Sequence, residues 1–181
     1  MLNTQLNVFE NFPVLHGPLS VQNGNRAGTL VIHGVVIPGS ISFNQIAMLI
    51  NQGNTSRSML INIGLYSYSG STLSLANSAS ANQNFTANGV NWITLATSAA
   101  QNITPGNWWF AFLFDSATAS NSIVGTSHNF SAGGIGGPFI HGFLSVTTNA
   151  LPTSIATSDL SPDGSSTTNS DMFRPYILIS A

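Results

Sequence analysis

Apolar and polar residues alternate with a period of two along most of the chain. In GTLVIHGVVIP, Thr29, Val31, His33, Val35 and Ile37 fall on one face and Leu30, Ile32 and Val36 on the other. MLINIGLYSY sets Met59, Ile61, Ile63 and Leu65 against Asn62, Gly64 and Tyr66. Successive side chains of a strand point to opposite faces, so this pattern predicts half-buried antiparallel strands. After the Pro38-Gly39 turn, SISFNQIAMLI places Ile41, Phe43, Ala47 and Leu49 on one side, although residues 43–50 also compete as a helix. Further strands are predicted over 92–98, 107–115, 123–130, 139–146 and 173–180. Between them SGSTLSLANSASANQNFTANG, TSAAQNITPG, DSATASNS, SAGGIGGP and SPDGSSTTNSD read as turn-rich punctuation. The expected fold is all-β: an antiparallel β-sandwich, specifically a jelly roll of about eight strands. One domain is expected over 28–181, preceded by residues 1–27 as an N-terminal arm or a first strand. Residues 151–171 exceed usual loop lengths and are expected to be functional or mobile.

The densest apolar stretch is ITPGNWWFAFLF, residues 103–114. In a strand, Trp108, Phe110, Phe112 and Phe114 point one way, and Trp109, Ala111 and Leu113 the other. Both faces are apolar, which predicts a central strand buried on both sides. Burying each ring contributes roughly 1.5–3 kcal/mol. These aromatic residues are therefore expected to form the structural core, with a subunit interface as the competing use. The run is far short of the ~20 residues that cross a bilayer as a helix.

Charge changes the picture more than any motif. Only 4% of residues are charged, against about 25% in typical soluble domains. There is no lysine, and Arg26, Arg57 and Arg174 are the only fixed cations. Neutralising on the order of 6–10 phosphates takes more than three scattered arginines, so neither nucleic acid nor an anionic membrane is an expected partner. Ser, Thr and Asn make up 61 of the 181 residues. A shell of neutral hydrogen-bonding groups with a net charge of −2 resists self-association weakly. Much of the surface is therefore expected to be covered by other copies of the chain. The sequence begins MLNTQLNVFENF without the basic and apolar regions of a secretory signal.

Chemistry-bearing residues are sparse. The acids are Glu10, Asp115, Asp159, Asp163 and Asp171, and the histidines are His16, His33, His128 and His141. Asp115 and the three acids of the 151–171 segment sit in turn-forming contexts, where an Asp bonds its own backbone. Calcium held by those three acids is the disfavoured alternative. His16, His33 and His141 each precede a glycine, yet none shows the short fixed spacing of zinc ligands. The glycine-rich SAGGIGGP leads into a strand rather than a helix, so it lacks the context of a phosphate loop. Cysteine is absent, which excludes disulfides and thiolate metal sites. No catalytic residue, metal or cofactor is expected.

IGLYSYSGSTLSLANSAS (63–80), WITLATSAAQNITPGNWWFAFLF (92–114) and RPYILIS (174–180) together resemble small all-β structural proteins of tailed-bacteriophage virions, including capsid decoration proteins and tail-fibre knobs. The resemblance implies a jelly-roll module, commonly trimeric, displayed on a virion, with no catalytic residues to carry over. The leading expectation is a capsid decoration (cement) protein acting as a homotrimer, whose partners are its own copies and the major capsid protein or other virion subunits. Phe9, Phe12 and Leu15 are the expected anchoring or interface residues. The alternative is a receptor- or carbohydrate-binding module, in which Tyr66 and Tyr68 contact a host glycan.

Overall fold

Two antiparallel sheets packed against one another hold the chain. The computed structural model describes residues 2–3, 8–10, 19–22, 28–52, 57–85, 89–114, 122–128, 141–160, 172–175 and 177–180. The six-stranded sheet runs in the order β11 (His141–Ser145), β4 (Thr29–Ile37), β9 (Gly106–Phe114), β6 (Arg57–Ser69), β7 (Thr72–Phe85) and β12 (Ser154–Ala156). The eight-stranded sheet runs β1 (Leu2–Asn3), β2 (Val8–Glu10), β14 (Ile177–Ser180), β5 (Ile41–Gln52), β10 (Ser122–His128) and β13 (Met172–Pro175). In that sheet β3 (Leu19–Gln22) joins β10, and β8 (Gly89–Ile103) joins β5. Fourteen strand segments thus stand among the described residues, where the sequence pattern leads one to expect about eight.

The central pairings nest. β6 pairs with β7, β5 with β8 and β4 with β9, all antiparallel. Because β5 and β8 belong to one sheet and the other four strands to the other, the chain passes from sheet to sheet at Pro38-Gly39-Ser40, between β5 and β6, between β7 and β8, and at Thr104-Pro105. The indole of Trp108 donates a 2.9 Å hydrogen bond to the Thr104 carbonyl, pinning the crossing from β8 to β9. The hairpin between β6 and β7 turns on Gly70 and Ser71, with Gly70 at φ +64. Positive φ at that position matches the turns that preserve strand twist, and glycine adopts it without a Cβ clash.

Inner faces of both sheets meet in one core. Ile61, Ile63 and Leu65 of β6, Phe110 and Phe112 of β9, and Ile46 and Met48 of β5 are wholly buried there. Trp108 is half-buried at its margin. On the other side of β9, Trp109, Ala111 and Leu113 are also buried, in a second cluster with Leu30, Ile32 and Tyr66. β9 is the strand apolar on both faces that the sequence predicts; the Phe114 side chain lies outside the described residues.

Two irregularities break simple alternation. β5 shifts register against β8 between Phe43 and Gln45. Ile41 and Phe43 therefore share the inner core with Ile46 and Met48, whereas Ala47 and Leu49 alternate to the outer side. This corrects the single face expected for Ile41, Phe43, Ala47 and Leu49. The same shift explains the helix-like pattern over 43–50: buried positions three apart arise from a bulge, and the segment is strand throughout. On β8 the Thr97 hydroxyl lies 3.1 Å from the Asn44 carbonyl and 2.7 Å from that of Ala99, holding the irregular stretch.

β7 carries the second irregularity. Leu65 stands opposite Asn77 but Tyr66 opposite Leu75, so Ala76 is the extra residue. Leu73 and Leu75 accordingly pack on the outer cluster, while Ala79 and Ala81 pack on the inner one. By composition this region reads as turn-rich; it is a strand of 14 residues. Small residues fill it because its polar positions face water and its few apolar ones change sides midway.

Phe112→Ala should cost about 3–5 kcal/mol in urea denaturation, the usual penalty for emptying a core aromatic site. Two single-residue deletions in β7 should differ. Removing Ala76 takes out the extra residue and leaves Leu75 opposite Tyr66 and Asn77 opposite Leu65, so cooperative unfolding should survive. Removing Ser78 brings Ala79 opposite Gly64 and turns that buried alanine to the outer face. Its denaturation midpoint should therefore fall below that of the Ala76 deletion.

Candidate interaction surface

A sheet face lined with Leu30, Ile32, Trp109 and Leu113 requires a cover, and the chain supplies one from residues 146–160. Leu151, Ile155 and Leu160 of this strap pack on the cluster. Polar groups hold it in register. The Asn62 amide donates to the Asn149 carbonyl at 3.0 Å, and the Tyr66 hydroxyl to the Pro152 carbonyl at 2.7 Å. Backbone bonds from Leu75 N to Thr153 O and from Thr157 N to Ser71 O, each 2.9 Å, tie it to β7 and the hairpin. β12 pairs with the start of β7, and a 3-10 turn (Thr157–Asp159) follows. This half of the expected 151–171 loop is a structural lid on the sheet; 161–171 lie outside the described residues.

Gly64 shows how closely the strap approaches. A Cβ there would meet the Tyr66 ring at 2.8 Å, Leu151 Cδ1 at 2.9 Å and Leu75 Cδ1 at 3.0 Å. Glycine is thus required on β6 by packing, not by backbone angle.

The two tyrosines offered as glycan contacts separate sharply. Tyr66 is fully buried, and its hydroxyl is committed to Pro152. Burial pushes its phenol well above the ordinary value near 10. A ligand does not reach Tyr66 while the strap is in place, so the expected pairing of Tyr66 with Tyr68 as glycan contacts is corrected: of the two, only Tyr68 is accessible. Tyr68 is 44% exposed, and its ring sits 5.1 Å from that of Trp109 at 54°. Trp109 Nε1 is buried with no acceptor among the described residues. Ser67 stands opposite Trp108, so Tyr68 and Asn107 come next on their strands; Asn107 in turn stands opposite Val36. Val36, Asn107 and Tyr68 form an exposed, uncharged row at the end of the sheet that the strap leaves open. Sequence alternation locates Tyr66 and Tyr68 on one face but carries no sign that a distant segment covers only the first.

Among the remaining candidates in the described residues, the ladder brings His33 and His141 together and leaves the others dispersed. His33 lies buried on β4, and the ladder sets it opposite His141. His128 stands opposite Met172 in the other sheet. Asp159 is exposed in the 3-10 turn, while His16, Asp115, Asp163 and Asp171 lie outside the described residues. No group of three or more His, Asp or Glu among the described residues is arranged to hold a metal ion. Phe9 sits on β2, opposite Ile179 of β14; Phe12 and Leu15 lie outside the described residues. No helix among the described residues is long and apolar enough to cross a membrane.

Tyr66→Phe should destabilise the fold by about 0.5–1.5 kcal/mol, the net value of one hydrogen bond, read in chemical denaturation. It should also flatten the alkaline stability profile. With its folded-state pKa raised, wild-type Tyr66 stays protonated when folded but ionises when unfolded, so stability declines as pH rises past about 10. Gly64→Ala should cost about 1–3 kcal/mol through overpacking and expose 146–160 to limited proteolysis first.

No protein-family model, curated protein or solved structure matches the chain.

Proposed function

We propose that the protein is a non-enzymatic structural subunit of a bacteriophage virion, a capsid decoration protein acting as a homotrimer. The observation that carries this reading is the combination of a doubly covered β core with an exterior almost free of charge. Exposed positions on β7 are Ser74, Ala76, Ser78, Ser80 and Asn82, and those on β8 include Trp92, Thr94 and Ala96. Such a surface has little electrostatic barrier to close packing with copies and neighbours. A jelly-roll topology belongs to the same proposal, and the nested pairings of β4 with β9, β5 with β8 and β6 with β7 support it. Particle partners are the major capsid protein or other virion subunits, and the anchoring segment is the N-terminal one containing Phe9, Phe12 and Leu15.

The second reading, a glycan-binding module of a tail fibre, is favoured by one observation. Tyr68 is exposed yet braced by Trp109, with Asn107 beside it as a neutral hydrogen-bonding group. Aromatic faces flanked by amides suit a neutral sugar ring.

Quantitative mass spectrometry of purified particles separates the two. Hundreds of copies per particle are expected for decoration, and a few dozen or fewer would overturn it in favour of a tail role. Deleting residues 1–12, which removes β1 and β2, should abolish particle attachment, and a deletion variant that still unfolds cooperatively yet attaches to particles would overturn the anchoring role. Binding on a glycan array that disappears with Tyr68→Ala would support the second reading.

A further inference from the structure

Among the described residues, the eight-stranded sheet has one long open edge. β8 is 15 residues long and pairs with β5 along one side; no strand pairs with its other side among the described residues. An open edge presents a row of unpaired N–H and C=O groups, and proteins ordinarily blunt such edges with Lys, Pro, short length or bulges. β8, GVNWITLATSAAQNI, has no charged residue and no proline. Its only irregularity falls after Ala96, which leaves residues 89–96 as a regular run against β5. On the outer face of that run Trp92 is 44% exposed, with Thr94 and Ala96 exposed in line with it.

We infer that this edge pairs with itself: β8 of a second copy adds antiparallel across a two-fold axis and joins two eight-stranded sheets into one. A second copy is the occupant because identical edges meeting across a two-fold are complementary by symmetry. Their facing groups are uncharged, so no like charges are brought together. Opposite residues in an antiparallel pair share a face, so the axis falls on a residue. With the axis at Trp92, Val90 stands opposite Thr94, Gly89 opposite Leu95, and the two Trp92 rings become cross-strand neighbours. Aromatic pairs so placed stabilise a ladder, which gives an exposed edge tryptophan a use. The contact is two-fold, so it is distinct from the three-fold one of the proposed trimer, and it stands or falls apart from the particle role.

Sedimentation equilibrium of the full chain tests it. Wild type should reach twice the mass of the unit formed by Trp92→Lys, whether that unit is monomer or trimer. The substitution sets lysine opposite lysine and should weaken association by about tenfold or more. Trp92→Phe should retain the association. Equal masses for wild type and Trp92→Lys at every concentration would overturn the inference. If Trp92→Lys does not fold, hydrogen exchange of wild type decides. Protection of the 89–96 amides that rises with protein concentration supports self-pairing, and protection independent of concentration overturns it.

Discussion

A strand apolar on both faces must be covered twice, and β9 imposes that requirement on everything around it. Phe110 and Phe112 draw the second sheet onto one side. Trp109, Ala111 and Leu113 draw residues 146–160 onto the other. Leaving either face bare would expose several large side chains, each worth roughly 1.5–3 kcal/mol when buried. The strap is therefore a third layer of the core over part of the six-stranded sheet. Its polar anchors, Asn62 and Tyr66, meet backbone carbonyls that would otherwise lie at the edge of an apolar contact without a donor.

The two bulges adjust which residues reach that core. Beyond Ala76, β7 exchanges leucines on the outer cluster for alanines on the inner one, so one strand serves both layers. In β5 the shift near Asn44 turns Ile46 and Met48 inward and puts Ala47 and Leu49 on the opposite face of the sheet, where Ala47 is still buried. In β7 the one extra residue reverses which positions face the core beyond it, because the period of a strand is two; at β5 the change falls where Asn44 stands across from four unpaired residues of β8, 97–100. Both devices lie within long strands, so the ladders continue through them while the faces exchange.

What remains outside among the described residues carries little charge, and that is the property the proposed roles share. Val36, Tyr68 and Trp92 are the large hydrophobic side chains most exposed among the described residues; the first two share the six-stranded sheet and Trp92 lies on the eight-stranded one. Tyr68 is held from below by Trp109, whereas Trp92 stands on a strand whose far side has no paired strand among the described residues. The first arrangement suits a small flat ligand; the second suits a strand.

Period-two alternation between adjacent residues was enough for the sequence to determine the all-β class, the two-faced burial of β9 and the split between odd and even positions of β6. These depend on near neighbours, and strand geometry fixes where near neighbours point. β7 was illegible because its serines, asparagines and alanines carry weak strand preference, and its pairing with β6 is what makes it a strand. The switches of face in β5 and β7 were equally hidden, since a bulge is defined by the partner across the ladder. The fates of Tyr66 and Tyr68 were decided only by tertiary structure: two residues apart on one face, they differ because Pro152, 86 positions from Tyr66, lies over the first and not the second.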